Sequence, residues 1–254
     1  MLAKYCGHFS LYDIITSGDI MITSLTNEKI KEYAKLNQSK YREEAKMFLV
    51  EGPHLVEEAK LAGVLLEVIT TDPNVKGVLV NEAVMKKISN TVHPVKVIGV
   101  CKKLESTKTC SKVLALDEIS DPTNLGTLLR SAKSFGFDTV FASNGSVDFY
   151  NDKVIRGSQG AIFKLNLLKG DLIEFLKNNK KTHQILGTDV RKGTDVAEIY
   201  LEKNVILILG NEARGMRPDA NLYVDKNLFI QMQNMESLNV SVAGSILMYE
   251  IAKK

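Results

Sequence analysis

Val205-Ile206-Leu207-Ile208-Leu209 is an unbroken aliphatic run, and Gly210-Asn211-Glu212-Ala213-Arg214-Gly215-Met216 follows it directly. A run with no polar face predicts a strand buried on both sides, as in a parallel sheet covered by helices. The loop after it starts and stops on glycines five positions apart, which lets backbone amides approach a ligand closely. It is not a dinucleotide fingerprint, because GxGxxG is absent. It is not a P-loop either, because Gly215 is followed by Met216-Arg217 and not by Lys-Ser/Thr. A carboxylate in such a loop, Glu212 beside Arg214, is unusual for a plain turn.

Outward from this strand, strands and helices alternate. Val113 to Leu116, Thr139 to Ala142 and Gln184 to Gly187 predict strands. Residues 124–135, 151–158, 171–178 and 238–252 predict helices. The front part repeats the pattern. A helix is predicted over 26–37, capped by Thr26 or Asn27, and a strand at Phe48-Leu49-Val50. A helix then runs to about Ala62, with Gly63 as its C′ residue. Strands follow at Leu65–Thr70, Val78–Val80 and Val95–Val100, with Asn81 capping a helix to Ile88. Such alternation means α/β. The polar stretch 102–111 separates two such units as a linker. A chain of 254 residues suits two domains of roughly 100–150 residues each. The expected division is 21–101 and 112–254, with 1–20 as an extension before Met21.

The composition excludes several function classes. No apolar stretch is long enough to span a bilayer. Cys6, Cys101 and Cys110 form no CxxC pair, and His8, His54, His93 and His183 show no ligand spacing. No disulfide framework and no metal site is therefore expected, and the setting is read as reducing and cytoplasmic. The net charge of +3 proves no nucleic-acid partner. What phosphate binding needs is clustered cations, and these stand at Lys29/Lys31/Lys35, Lys40/Arg42/Lys46 and Lys102/Lys103/Lys108/Lys112.

Two more segments carry chemistry. Asp121-Pro122-Thr123-Asn124-Leu125-Gly126 places a proline turn and a helix start after a strand, with Asn124 near the N-cap. Open α/β sheets bind ligands at such carboxyl edges. Arg130 follows six residues after Asn124 and is expected on roughly the same side of the helix. Glu236-Ser237-Leu238-Asn239-Val240-Ser241-Val242-Ala243 opens a helix of small apolar residues with a polar mouth. Taken singly, these two segments read sooner as capped helices, and the glycine loop reads equally as a tight turn.

In this order and spacing, the three segments resemble the SpoU (TrmH-like) family of RNA ribose methyltransferases, within the SPOUT superfamily, over residues 112–254. The front part resembles that family's L30e-like substrate-binding domain, through Ile22-Thr23-Ser24, Lys40-Tyr41-Arg42 and Phe48-Leu49-Val50-Glu51-Gly52. The resemblance implies an α/β trefoil-knot domain with a parallel sheet and a homodimer formed through it. It also implies methyl transfer from S-adenosyl-L-methionine to a ribose 2′-oxygen of structured RNA, foremost 23S ribosomal RNA. Transfer RNA is the alternative substrate, and an RNA-binding protein without catalysis the alternative of another class.

Carried over residue by residue, the resemblance gives Gly187, Thr188, Leu209, Gly210, Asn211, Glu212, Gly215, Ile230, Met232, Ser237, Leu238 and Asn239 as the cofactor site. Arg130 is implied as the catalytic arginine, with Asn124, Glu212, Ser237 and Asn239 organising it and the nucleotide. Lys40, Arg42 and Arg130 are expected on RNA phosphates. One stretch departs from the family pattern. Residues 230–236 (Ile-Gln-Met-Gln-Asn-Met-Glu) lack its proline and glycine and are one residue shorter.

Overall fold

The computed structural model describes residues 21–91, 93, 95–106, 111–189 and 193–254. The expected 1–20 extension, Cys6, His8, Cys110 and Lys108 of the linker cluster lie outside the described residues.

The front part builds a four-stranded sheet in the order β1-β4-β2-β3. Its strands are β1 (Met47–Glu51), β2 (Leu65–Thr70), β3 (Val78–Leu79) and β4 (Val97–Lys102). β4 lies antiparallel to both β1 and β2, and β3 lies parallel to β2. Its helices are α1 (Glu28–Lys35), α2 (Ser39–Ala45), α3 (Pro53–Leu61) and α4 (Glu82–Ile88). Asn27 and Asn81 cap α1 and α4 by accepting from Ile30 N and Val84 N at 3.3 and 2.9 Å. The helix expected over 26–37 stops at Lys35, and α2 follows as a separate helix not foreseen. Its N-cap Gln38 makes no side-chain cap bond, and it closes on Lys46 at φ 53°, so it carries none of the usual start signals.

The second part builds a seven-stranded sheet, parallel throughout, in the order β7-β6-β5-β10-β8-β11-β9. The strands are β5 (Lys112–Leu116), β6 (Thr139–Ser143), β7 (Asn166–Gly170), β8 (Gln184–Thr188), β9 (Thr194–Asp195), β10 (Val205–Leu209) and β11 (Lys226–Phe229). The helices are α5 (Pro122–Ser134), α6 (Asp152–Ser158), α7 (Leu172–Asn179), α8 (Pro218–Asn221) and α9 (Val240–Ala252). Every residue of β10 is buried, as an apolar run between two helical layers requires. After β11 the chain crosses back over the sheet, and α9 packs on α5. That return is the crossing a knotted C-terminus needs. A Cβ on Gly244 would come within 2.5 Å of Leu209 Cδ1, so α9 rests directly on the end of β10.

The two sheets share one apolar core cluster, which includes Phe48, Val56, Tyr150 and Phe163. Phe48 lies 4.6 Å from Tyr150 and 6.3 Å from Phe163, centroid to centroid. Leu104 N donates to Tyr150 Oη at 3.0 Å, and Lys164 pairs with Glu58 at 2.7 Å.

Candidate active site

Three loops meet at the carboxyl edge of the parallel sheet. The chain leaves β5 through Asp117–Asp121, leaves β10 through Gly210–Arg217, and enters α9 at Asn239. β5 and β10 are neighbours in the sheet, so their outgoing loops must lie side by side.

Asp121 is the N-cap of α5, accepting from Thr123 N and Asn124 N at 2.6 and 3.0 Å. Asn124, expected near the cap, therefore sits one turn inside, and its side chain is free for other work. Its Nδ2 donates to Glu212 Oε1 at 3.0 Å, and its Oδ1 accepts from Asn239 Nδ2 at 3.0 Å. Asn239 caps α9 in turn, its Oδ1 accepting from Ser241 N at 2.9 Å and Ser241 Oγ at 2.6 Å. The relay settles its own amide orientations. An ionised Glu212 only accepts, so Asn124 presents its NH2 there and its oxygen to Asn239.

Glu212 also accepts from Ser120 Oγ and N at 3.3 and 3.5 Å and from Asp121 N at 3.4 Å. Burial raises its pKa, but the Asn124 amide and the backbone N–H groups outweigh burial and hold the carboxyl below its ordinary value. A carboxylate so stabilised is a weak base and a firm anchor.

The glycine loop closes on itself. Asn211 and Gly215 exchange backbone bonds at 3.0 and 2.9 Å, and Asn211 Oδ1 accepts from Ala213 N and Arg214 N at 3.0 and 3.1 Å. A Cβ on Gly210 would meet Met216 N at 2.1 Å, and Gly215 stands at φ 70°. Both positions demand glycine. Asn211 Nδ2 ties the loop to Glu118 O at 2.8 Å.

Thr188, at the end of β8, donates to Ile208 O at 3.1 Å. Leu209 is buried, Ile230 packs against the main core, and Met232 is half-buried. Because β10, β8 and β11 are adjacent, Leu209–Gly210, Gly187–Thr188 and Ile230 occupy three neighbouring strand ends. Backbone polar groups between apolar walls suit a purine nucleoside with an amino-acid arm, so the residues fit the expected cofactor. Ser237 and Leu238 are exposed beside Asn239. Among the described residues no hydrogen bond ties Ser237 to the relay.

Arg130 is exposed on α5, and its side chain makes no hydrogen bond or ion pair among the described residues. At about 100° per residue it stands roughly 120° around the helix from Asn124, so the two share a helix but not a face.

Arg42 corrects an expectation. It is not an RNA-facing cation, being 5% exposed. Its Nη2 and Nε donate to Asp148 Oδ2 at 2.7 and 3.0 Å, and its Nη1 donates to Leu36 O at 2.9 Å. Each nitrogen of the guanidinium is engaged inside the protein. Lys40 is exposed, with Glu44 at 4.0 Å.

Sequence reasoning missed Asp117, Glu118, Ser120 and Arg217. Asp117 is 2% exposed and accepts from Arg217 N and Nε, both at 2.8 Å. Arg214 pairs with Glu118. The available signal was two acidic residues after β5 and two arginines after β10, on strands that a parallel sheet makes neighbours.

Comparison with known proteins agrees with this geometry. The SpoU rRNA Methylase family matches residues 111–249, and an MRM3-like substrate binding domain matches residues 27–99. The 23S rRNA (guanosine(2553)-2′-O)-methyltransferase RlmP of Bacillus subtilis is 32% identical over 243 residues, covering 91% of this chain and 98% of that protein. The crystal structure of an RNA 2′-O ribose methyltransferase superposes with a TM-score of 0.79 at 31% identity, covering 92% and 98% of the two chains. An AdoMet-bound rRNA methyltransferase from Sinorhizobium meliloti gives 0.82 at 25% identity, covering 92% and 97%. With the family matched across more than half its length and a relative above 30% identity along nearly all of it, the chain belongs to the SpoU rRNA methylase family.

Proposed function

We propose that this protein methylates a ribose 2′-hydroxyl of 23S ribosomal RNA, with S-adenosyl-L-methionine as methyl donor. The observation that carries the reading is the meeting of three adjacent strand ends with the Asn239–Asn124–Glu212 relay, beside a helix that exposes Arg130. Residues 21–101 serve as the RNA-binding domain and residues 112–254 as the methyltransferase domain.

The cofactor supplies an electrophilic methyl group on a sulfonium. Gly187, Thr188, Leu209, Gly210, Asn211, Gly215, Ile230, Met232 and Leu238 hold it, with Leu209, Ile230, Met232 and Leu238 excluding water. Arg130 binds the phosphate next to the target ribose and orients its 2′-hydroxyl. A guanidinium carries only N–H donors, so Arg130 positions and polarises the hydroxyl, and the proton released as the oxygen takes the methyl group passes to solvent water. Glu212, with donors on both oxygens, orients Asn124, and Ser237 and Asn239 frame the nucleotide. Alignment of this sort lowers a barrier by several kcal/mol.

Val242, Ile246 and Tyr249 form an exposed apolar stripe on α9, at spacings of four and three residues. A second copy of the chain covers it in this reading, and a monomeric mass in solution would remove that part.

Mapping 2′-O-methyl sites in ribosomal and transfer RNA from cells with and without the protein tests the function. Loss of one ribosomal site is expected, loss of a transfer-RNA site would move the substrate, and no loss would refute catalysis.

A further inference from the structure

We infer that Asp117 and Arg217 are a positioning pair that holds the glycine loop in its cofactor-binding shape before the cofactor arrives. The inference rests on the functional reading above, because it presumes that Gly210–Gly215 line the cofactor site.

The loop is pinned at both ends. At its start, Asp117 N donates to Leu209 O at 2.9 Å, continuing the ladder between β5 and β10. At its end, Arg217 returns two hydrogen bonds and an ion pair to the same aspartate. Its backbone N reaches Oδ2 at 2.8 Å, and its Nε and Nη2 both reach Oδ1 at 2.8 Å. Asp117 thus uses its main chain to fix residue 209 and its side chain to fix residue 217. The loop between them cannot slide without breaking a part-buried, charge-assisted pair. The bond to Asp117 raises the Arg217 pKa.

Neither residue belongs to the relay that faces the nucleotide. Their contribution is preorganisation. A loop already fixed loses less conformational entropy when a ligand orders it. A lysine at 217 keeps the charge but cannot form the planar fork, and an asparagine at 117 keeps the shape but not the charge.

The test uses the full chain, with Arg217→Lys and Asp117→Asn made singly and together. The probes are calorimetric titration with S-adenosyl-L-methionine, RNA affinity without cofactor, and hydrogen exchange of the 210–217 amides. Each single variant is expected to weaken cofactor binding by about tenfold and speed exchange across the loop. RNA affinity stays within about twofold. The double variant is no weaker than the worse single one, because each removes the same coupling. Should a variant fail to fold, the wild-type exchange still decides, since the proposal requires the Arg217 amide to be protected without cofactor. Unchanged cofactor affinity, or equal losses of cofactor and RNA affinity that track the fall in Tm, would overturn it. A wild-type protein that binds no cofactor would instead bring down the functional reading, and this inference with it.

Discussion

Arg42 in α2 and Arg130 in α5 carry the same guanidinium into opposite surroundings. Around Arg42 the chain has closed. Asp148 from the β6–α6 loop and the Leu36 carbonyl take its donors, and Ser39 Oγ joins at 3.2 Å from the same carboxylate. Among the described residues nothing closes on Arg130, and the charge faces water on a helix whose other side is packed into the core. A buried arginine with a carboxylate partner is a structural clamp, here between the two sheets. An exposed arginine on the helix that also carries Asn124 leaves its donors to solvent, open to a ligand. The local motif does not distinguish them; the partner found 106 residues away does.

The largest effect expected from breaking this contrast is on stability. Arg42→Ala leaves Asp148 half-buried without its cation, a change that costs about 3–5 kcal/mol. Denaturant unfolding measures it. A loss below about 0.5 kcal/mol, the usual size for a surface substitution, would show that the pair does not clamp the sheets. Arg130→Ala is expected to do the reverse. Its stability stays within about 0.5 kcal/mol of wild type, cofactor affinity is retained, and methyl transfer falls by about a hundredfold or more, as for the loss of one charge-stabilising donor. Turnover near the wild-type rate would refute its role.

Acid sharpens the same comparison. Burial raises the Asp148 pKa, but the Tyr150 N–H and the Arg42 guanidinium outweigh it and leave the carboxyl below its ordinary value. A depressed folded pKa contributes stability above the unfolded value of about 3.9. That contribution disappears as the pH falls through the folded value. The stability gap between wild type and Arg42→Ala is therefore expected to narrow below about pH 4. A gap that stays constant to pH 3 would mean that Asp148 is not the group Arg42 stabilises. The Arg130→Ala curve should run parallel to wild type throughout.

What the sequence disclosed was local. Val205–Leu209 announces a buried strand because five apolar neighbours have no other way to hide. Asn239 announces a helix start because its side chain bonds its own backbone two residues on. Short or unsignalled elements stayed hidden. α2 lacks a capping side chain, and β11 opens on Lys226-Asn227, which reads as a loop. The candidate site was legible as far as residues that sit in motifs, such as Asn124, Glu212 and Asn239, which the fold brings together. Their mutual bonds, and the Asp117–Arg217 fork across 100 residues, arise from strand order, which periodicity does not encode. Arg42 was misjudged for the same reason. Charge clustering in sequence says nothing about which member of the cluster the fold turns inward.

Lys40 offers the smallest and most discriminating effect, because it stands two residues from Arg42 on the same helix. Its side chain is 74% exposed, and its nearest carboxylate, Glu44, lies at 4.0 Å. An exposed pair at that spacing contributes at most about 0.5 kcal/mol, so Lys40→Ala should leave unfolding almost unchanged. If Lys40 meets an RNA phosphate, its removal lowers the slope of log affinity against log salt by about 0.7–0.9. Arg42→Ala, measured where it remains folded, should leave that slope alone, since its charge is already matched within the protein. Equal slopes for wild type and Lys40→Ala would take this helix off the RNA-binding face altogether. A lowered slope for Arg42→Ala would mean that the Asp148 pair opens when RNA binds, and that the clamp itself takes part in recognition.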